Sequence, residues 1–211
     1  ICQNAFNFCE KLQNVTFSKD SKLEKIERQA FKQSAIVKFI LPSNVESIFE
    51  KAFSHCQQLK NFEIQPDSKL HEIDKYAFEN SFIENIIIPS KVKKICEGTF
   101  SNCHNLQSVE FYENSILKTI EINAFSYSSI EKLIIPSSVV DLQDGWCNQT
   151  PKLNEVIVMS DNQYFINYDE NMIVGKTDIN DEEYDNLIFV NRNIQTIPIP
   201  SFIKKISSYS F

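Results

Sequence analysis

The residues of this chain best suited to chemistry are its three histidines and six cysteines, and two dipeptides bring the types together: His55-Cys56 and Cys103-His104. Imidazole beside thiol could ligate zinc or activate a thiolate. Zinc needs four ligands converging at about 2.0–2.3 Å. A thiolate nucleophile needs a base held by a third group, and a site for the oxyanion. Neither dipeptide has such company in the chain, so both read as core thiols beside surface histidines. The carboxylates Asp178, Asp181, Glu182, Glu183 and Asp185 could attract calcium. They lack the alternating Asp-x-Asp-x-Gly spacing of a calcium loop and read as a solvated segment. Two glycan acceptor motifs occur, Asn14-Val15-Thr16 and Asn148-Gln149-Thr150. In a secreted eukaryotic protein they could carry glycans, although two matches in an Asn-rich chain are near chance. With three glycines there is no phosphate-cradling loop. No cofactor, metal or catalytic constellation is expected, and the chain reads as non-enzymatic.

The spacing of the cysteines points elsewhere. Cys9, Cys56 and Cys103 are 47 residues apart, as are Phe6, Phe53 and Phe100, and Ile26, Ile73 and Ile120. A second register, Phe31, Phe78 and Phe125, splits the unit into alternating steps of 25 and 22. A fixed period in the twenties marks a solenoid, in which each coil packs only on its neighbours and the product is a long surface rather than a pocket.

Within a coil the apolar pattern is apolar-x-x-apolar-x-apolar, as in Leu59-Phe62-Ile64, Ile83-Ile86-Ile88 and Leu106-Val109-Phe111. Neighbouring strand residues face opposite ways, so the last two apolar positions point inward and the x between them points out. Proline follows several of these segments, as at Pro89, and closes the strand because it cannot donate to a ladder. Val92 and Ile95 are three apart, which suits a turn-like crossing rather than a second regular strand. Ala-Phe then opens a short helical or 3₁₀ turn. No stretch keeps helical apolar spacing over about 11 residues, so long amphipathic helices are excluded.

Together, Ile-x-x-x-Ala-Phe-x-x-Cys-x-x-Leu-x-x-(Val/Phe)-x-(Ile/Phe) and Pro-Ser-x-Val-x-x-Ile, seen best in Ile48–Ile64 and Ile88–Ile95, resemble the BspA-like leucine-rich repeats. The resemblance covers residues 1–159 and resumes at 194–211. It implies a right-handed solenoid with a curved parallel β-sheet and short turns on the convex side. It also implies a surface or secreted protein of bacteria or anaerobic protists that adheres to host matrix or cell-surface proteins. The alternative is an intracellular, cytoplasmic scaffold or regulatory subunit, where free thiols persist. Residues 160–193 leave the repeat and resemble the β-rich insert that interrupts such arrays, its two apolar runs reading as a hairpin-like pair. At the junction Trp146-Cys147 stands where other coils carry Ala-Phe, and Trp146 is expected to fill space where the cross-section changes. Neither end carries a polar cap, which reads as a fragment of a longer array.

Composition sets further bounds. A net charge of −7 disfavours nucleic acid and anionic membrane surfaces as partners. No apolar run approaches about 18 residues, so no segment inserts in a membrane. Cys9, Cys56 and Cys103 share a position that Ser34, Ser81, Ser128 and Thr150 occupy in other coils, which indicates a small buried site. These cysteines are two coils apart, about 10 Å, beyond disulfide reach. Cys2–Cys9 and Cys96–Cys103 remain as possible pairs, with packing the preferred reading.

The outward positions of successive strands are Thr16, Ile40, Glu63, Ile87, Glu110, Ile134 and Ile157, and Tyr112 and Met159 follow the strands of longer coils. A row of exposed apolar residues marks an interaction surface, or reflects β-branched stacking within a sheet. The sequence leaves both open. If the concave face binds a protein, Ile40, Glu63, Ile87, Glu110, Tyr112, Ile134 and Ile157 carry the contact. The competing site is the insert, through Tyr164, Phe165, Tyr168 and the acidic segment.

Overall fold

The computed structural model describes every residue of the chain except Asp181. Each coil pairs a two-residue strand with a four-residue strand. In chain order these are β1 (Lys25–Ile26), β2 (Lys38–Leu41), β3 (Ser47–Ile48), β4 (Asn61–Ile64), β5 (Glu72–Ile73) and β6 (Asn85–Ile88). The series continues with β7 (Lys94–Ile95), β8 (Ser108–Phe111), β9 (Thr119–Ile120), β10 (Lys132–Ile135), β11 (Asp141–Leu142) and β12 (Glu155–Val158). The four-residue strands form one six-stranded parallel sheet in the order β12-β10-β8-β6-β4-β2. The first coil contributes only a single bridge, Asn14 to Lys38. Burial alternates as expected: in β2, β6 and β10 the second and fourth residues are buried and the first and third exposed.

The crossing at Val92-x-x-Ile95 is more regular than the sequence suggests. The two-residue strands pair in parallel as β1-β3-β5 and β7-β9-β11 and form a second wall. Each places one residue inward (Ile26, Ile73, Ile95, Ile120), too little for an alternating pattern to show.

The Ala-Phe turns are not helical: no α- or 3₁₀-helix occurs among the described residues. The hydrogen bonds show why. Ala30, Lys32 and Ser34 donate their N–H three residues back, to Glu27, Gln29 and Phe31. The alternate donors Gln29, Phe31 and Gln33 reach instead to Glu50, Ala52 and Ser54 of the next coil, at 3.0, 2.8 and 2.9 Å. The first and last of these donors are themselves left-handed, Gln29 and Gln33 having φ of 57° and 56°. The pair recurs in every coil, at Lys51/His55, Tyr76/Asn80, Gly98/Asn102, Asn123/Tyr127 and Gly145/Gln149. The coils are thus stapled together on this side by backbone hydrogen bonds, at the cost of non-glycine residues in a strained region.

The core is a stack of phenylalanine rings. Phe6, Phe31, Phe53, Phe78, Phe100 and Phe125 follow one another with centroid separations of 4.9, 5.2, 5.4, 5.6 and 5.7 Å and planes within 10°. All but Phe6 are fully buried. Phe39 and Phe62 meet the stack edge-on from the main sheet. Trp146 ends it, lying edge-to-face on Phe125 at 6.3 Å and touching Phe189 beyond at 6.5 Å. It joins the repeat core to the following segment, as its size suggests.

That segment has three strands rather than two. β13 (Phe165–Asn167) and β14 (Met172–Gly175) form a hairpin within the first apolar run, and β15 (Asn186–Val190) pairs antiparallel to β14. β16 (Lys205–Ile206) then pairs in parallel with β15. The polar Asp169-Glu170-Asn171 supplies the missed turn, where Asp169 accepts the Asn171 N–H at 2.7 Å. Ile194-x-x-Ile197-x-Ile199 repeats the strand pattern but forms no strand, and Ile199 is exposed. No neighbouring strand pairs with it here, so its backbone has no ladder to join.

Candidate binding face

The outer face of the six-stranded sheet is built by register. Ile40 pairs with Glu63, Ile87 with Glu110, and Ile134 with Ile157, so the outward residues form one column across the strands. Ile40, Ile87 and Ile134 are 46%, 45% and 46% exposed; this equality at 47-residue spacing shows one environment used three times. Glu63 and Glu110 are exposed between them. Tyr112 is half-buried beside Glu110.

Ile157 departs from the column. It is half-buried, and so is Val156 on the opposite face of β12. Strand β13 packs alongside β12, where Asn167 uses its side chain as a substitute strand. Its Oδ1 accepts the Val158 N–H at 2.9 Å and its Nδ2 donates to the Val158 carbonyl at 2.7 Å. The open column therefore closes at Ile134, and Ile157 forms its covered margin.

Two neighbouring columns frame it. Toward the strand starts run polar residues that pair with one another or with the central glutamates. Lys38 meets Glu63 at 2.6 Å, Ser108 donates to Asn85 at 2.8 Å, and Lys132 meets Glu155 at 2.9 Å. Toward the strand ends, longer coils place Ser18, Gln65, Tyr112 and Met159, and shorter coils place Pro42, Pro89 and Pro136. Where a shorter coil ends in a recessed proline, the isoleucine before it can sit at the foot of a notch between two longer coils, as at Ile40 and Ile134. One notch, of about 500 Å³, lies between Tyr112 and Met159 over Ile134 and Pro136, with Glu110 and Glu113 on its rim. Another, of about 590 Å³, lies over Ile40 and Pro42 beside Ser18 and Gln65. The prolines were legible as strand breakers, but their part in the notches depends on which coils are longer.

The residues with chemical potential lie elsewhere. His55, His71 and His104 are on the surface or at its margin. Ser54 Oγ lies 2.7 Å from His55 Nδ1 and 3.2 Å from Glu79 Oε2. The carboxylate therefore contacts the hydroxyl rather than orienting the imidazole, which is not the order that activates a nucleophile. All six thiols are free. Cys56 and Cys103 are buried and each donates at 3.0 Å to a backbone carbonyl of an earlier coil, of Phe31 and Phe78. Burial pushes their pKa up to about 11 and about 12, so they are poor nucleophiles. Cys9 is only half-buried and Cys2 is exposed.

Among the described residues no three His, Cys, Asp or Glu side chains converge as a metal site would require. In the acidic segment Lys204 binds Glu183 at 2.8 Å and the buried Asp185 at 3.3 Å, while Asp181 lies outside the described residues. Phe165 does not protrude from the insert but is buried, whereas Tyr168 is exposed and packs edge-to-face on Phe202 at 5.2 Å. Asn14 is exposed. The hydroxyl of the second acceptor motif is buried, with Thr150 donating to the Cys147 carbonyl at 2.6 Å. Among the described residues no helix is long and apolar enough to cross a membrane.

Solved structures with this architecture include bacterial proteins. The pneumococcal vaccine antigen PcpA superposes with a TM-score of 0.81 at 26% identity, over 90% of this chain and 48% of its own. A leucine-rich repeat protein from Bacteroides ovatus gives 0.69 at 19% identity over 98% of this chain and 48% of its own. A leucine-rich cell surface protein from Faecalibacterium prausnitzii gives 0.64 at 20% identity over 86% of this chain and 54% of its own. The chain thus spans about half the length of these structures. No curated protein sequence matches it. The family model for the BspA type leucine rich repeat region matches residues 1–92 and 71–169 in 6 copies, most of the chain, and the protein belongs to that family.

Proposed function

We propose that this chain is a non-enzymatic recognition module of a cell-surface or secreted protein, and that it holds a protein ligand of host matrix or another cell against the outer face of its main sheet. The observation that carries the reading is the column Ile40, Ile87 and Ile134. Each is a large apolar side chain left nearly half exposed at an equivalent position, with a notch beside two of them and acidic residues between. Exposed apolar surface of this regularity is unfavourable in water unless something covers it. Likeness to a pneumococcal vaccine antigen supports a surface location. The inert, buried thiols of Cys56 and Cys103 suit an oxidising exterior as well as a reducing interior.

The test has two arms. Antibody against this segment should label intact, unpermeabilised cells; label seen only after permeabilisation favours the intracellular scaffold. The purified chain should bind members of an immobilised panel of matrix and cell-surface proteins, and binding should survive deletion of residues 176–185. If binding is lost on that deletion and unchanged by substitution of Ile87 and Ile134, the insert is the site and the sheet-face reading falls.

A further inference from the structure

Resting on that reading, we infer that the occupant of the sheet face is a basic segment in polyproline II conformation, lying across the strands with an apolar residue at every third position. Three facts lead there. The exposed isoleucines recur once per two coils, at Ile40, Ile87 and Ile134, each two residues before a proline. Strands in this sheet are hydrogen-bonded neighbours in unbroken order, so successive isoleucines lie two strand spacings apart, about 9.6 Å. A polyproline II helix has three residues per turn and rises about 3.1 Å per residue, so its same-face residues repeat at about 9.3 Å.

Other backbone conformations fit less well. An extended strand brings side chains to one face at about 6.8 Å, and its third residue faces away. An α-helix returns near the same face after seven residues, at about 10.5 Å, a poorer match to about 9.6 Å than the polyproline II repeat. Polyproline II is also preformed and leaves its backbone groups free for solvent, so little order is lost on docking.

Charge selects the sign of the partner. On this face Lys38 and Lys132 are already paired with Glu63 and Glu155. Glu110 and Glu113, on the rim of the Tyr112 notch, form no ion pair among the described residues. The chain as a whole carries −7. A lysine or arginine next to an apolar anchor would reach Glu110 or Glu113 while the anchor enters between Tyr112 and Met159. Tyr112 offers the aromatic wall against which proline and aliphatic side chains pack.

The test uses the intact chain and two labelled peptides of one composition. The first repeats the triplet Leu-Pro-Lys; the second scrambles it so that the leucines fall at irregular intervals. Fluorescence anisotropy should show the triplet peptide binding about tenfold more tightly than the scrambled one. Ile87→Thr and Ile134→Thr should each weaken it several-fold, as expected of central anchors. Glu110→Lys should weaken it too, and a Leu-Pro-Glu peptide should then bind that variant better than it binds the unaltered chain. Equal affinity for both peptides, lowered by the isoleucine substitutions, would overturn the polyproline II inference and leave the sheet-face reading standing. Tighter binding of the triplet peptide that ignores those substitutions would overturn both. Failure of the triplet peptide to bind would overturn the inference alone, because the matrix panel tests the face independently.

Discussion

Replacing Phe78 by alanine tests the ring stack where it is most enclosed. Phe78 is fully buried, stacks on Phe53 at 5.4 Å and Phe100 at 5.6 Å, and meets Phe62 edge-on at 4.7 Å. Truncating a buried phenylalanine costs about 3–5 kcal/mol from lost transfer energy and the cavity left behind. Phe6 is the internal control. It is half-buried and stacks on one ring only, Phe31. Water can enter the space it leaves, so Phe6→Ala should cost about 1–2 kcal/mol. Phe78→Leu, which keeps much of the volume and loses the aromatic pairings, should cost less than Phe78→Ala, about 1–2 kcal/mol. Urea unfolding followed by circular dichroism measures each loss. Hydrogen exchange adds the location, since a solenoid coil couples to its nearest neighbours. The amides of Phe53 and Phe78, which bond to Ala77 and Thr99 of adjoining coils, should lose protection before that of Phe125. Equal losses at Phe6 and Phe78, or a loss below about 1.5 kcal/mol at Phe78, would refute the stack as the main source of cohesion.

Three further outcomes follow from local geometry. Thiol titration of the native chain near neutral pH should modify Cys2 readily and leave Cys56 and Cys103 unreacted, because burial raises their pKa to about 11 and about 12; rapid reaction of either would contradict their enclosure. Gly98→Ala should destabilise measurably in thermal melts, since φ is +60° and the added Cβ would stand 2.3 Å from Tyr76 Cε1; a neutral result would refute the close approach of that ring. The Tyr76–Glu97 hydrogen bond should give stability a two-sided pH dependence. The Tyr76 hydroxyl, with help from Lys75, holds the Glu97 carboxyl below its usual range, so that contribution is present above about pH 4.3 and is lost as acid protonates it. The same bond raises Tyr76 to about 12, so its contribution is whole below about pH 10 and is lost as pH rises toward 12. Tyr76→Phe should flatten both limbs in denaturation midpoints measured against pH.

The repeat was legible because one mistake in register would have misaligned every coil. Phe53 and Phe100, Cys56 and Cys103, and Glu63 and Glu110 all had to share environments, and they do. The left-handed turn residues were not legible. Lys51, His55 and Tyr76 are poor signals for positive φ, and only the glycines and asparagines of the same register, such as Gly98, Asn102 and Asn123, hinted at it. The short second wall escaped because each of its strands buries one apolar side chain. On the face itself the exposed isoleucines could be read from alternation alone. The covering of Ile157 could not, because it depends on Asn167, ten residues along, bonding the backbone of β12.

The central claim is that the isoleucine column serves recognition and not folding. The most direct measurement is a paired one on the double variant Ile87→Thr/Ile134→Thr, which keeps β-branching and hence strand propensity. Unfolding free energy and affinity for a bound matrix or cell-surface protein are measured on the same preparation. Stability should stay within about 1 kcal/mol of the unaltered chain, while affinity falls at least about fivefold, or about 1 kcal/mol. Unchanged affinity, or a stability loss of about 3 kcal/mol or more, which is the scale of a core truncation, would contradict the claim.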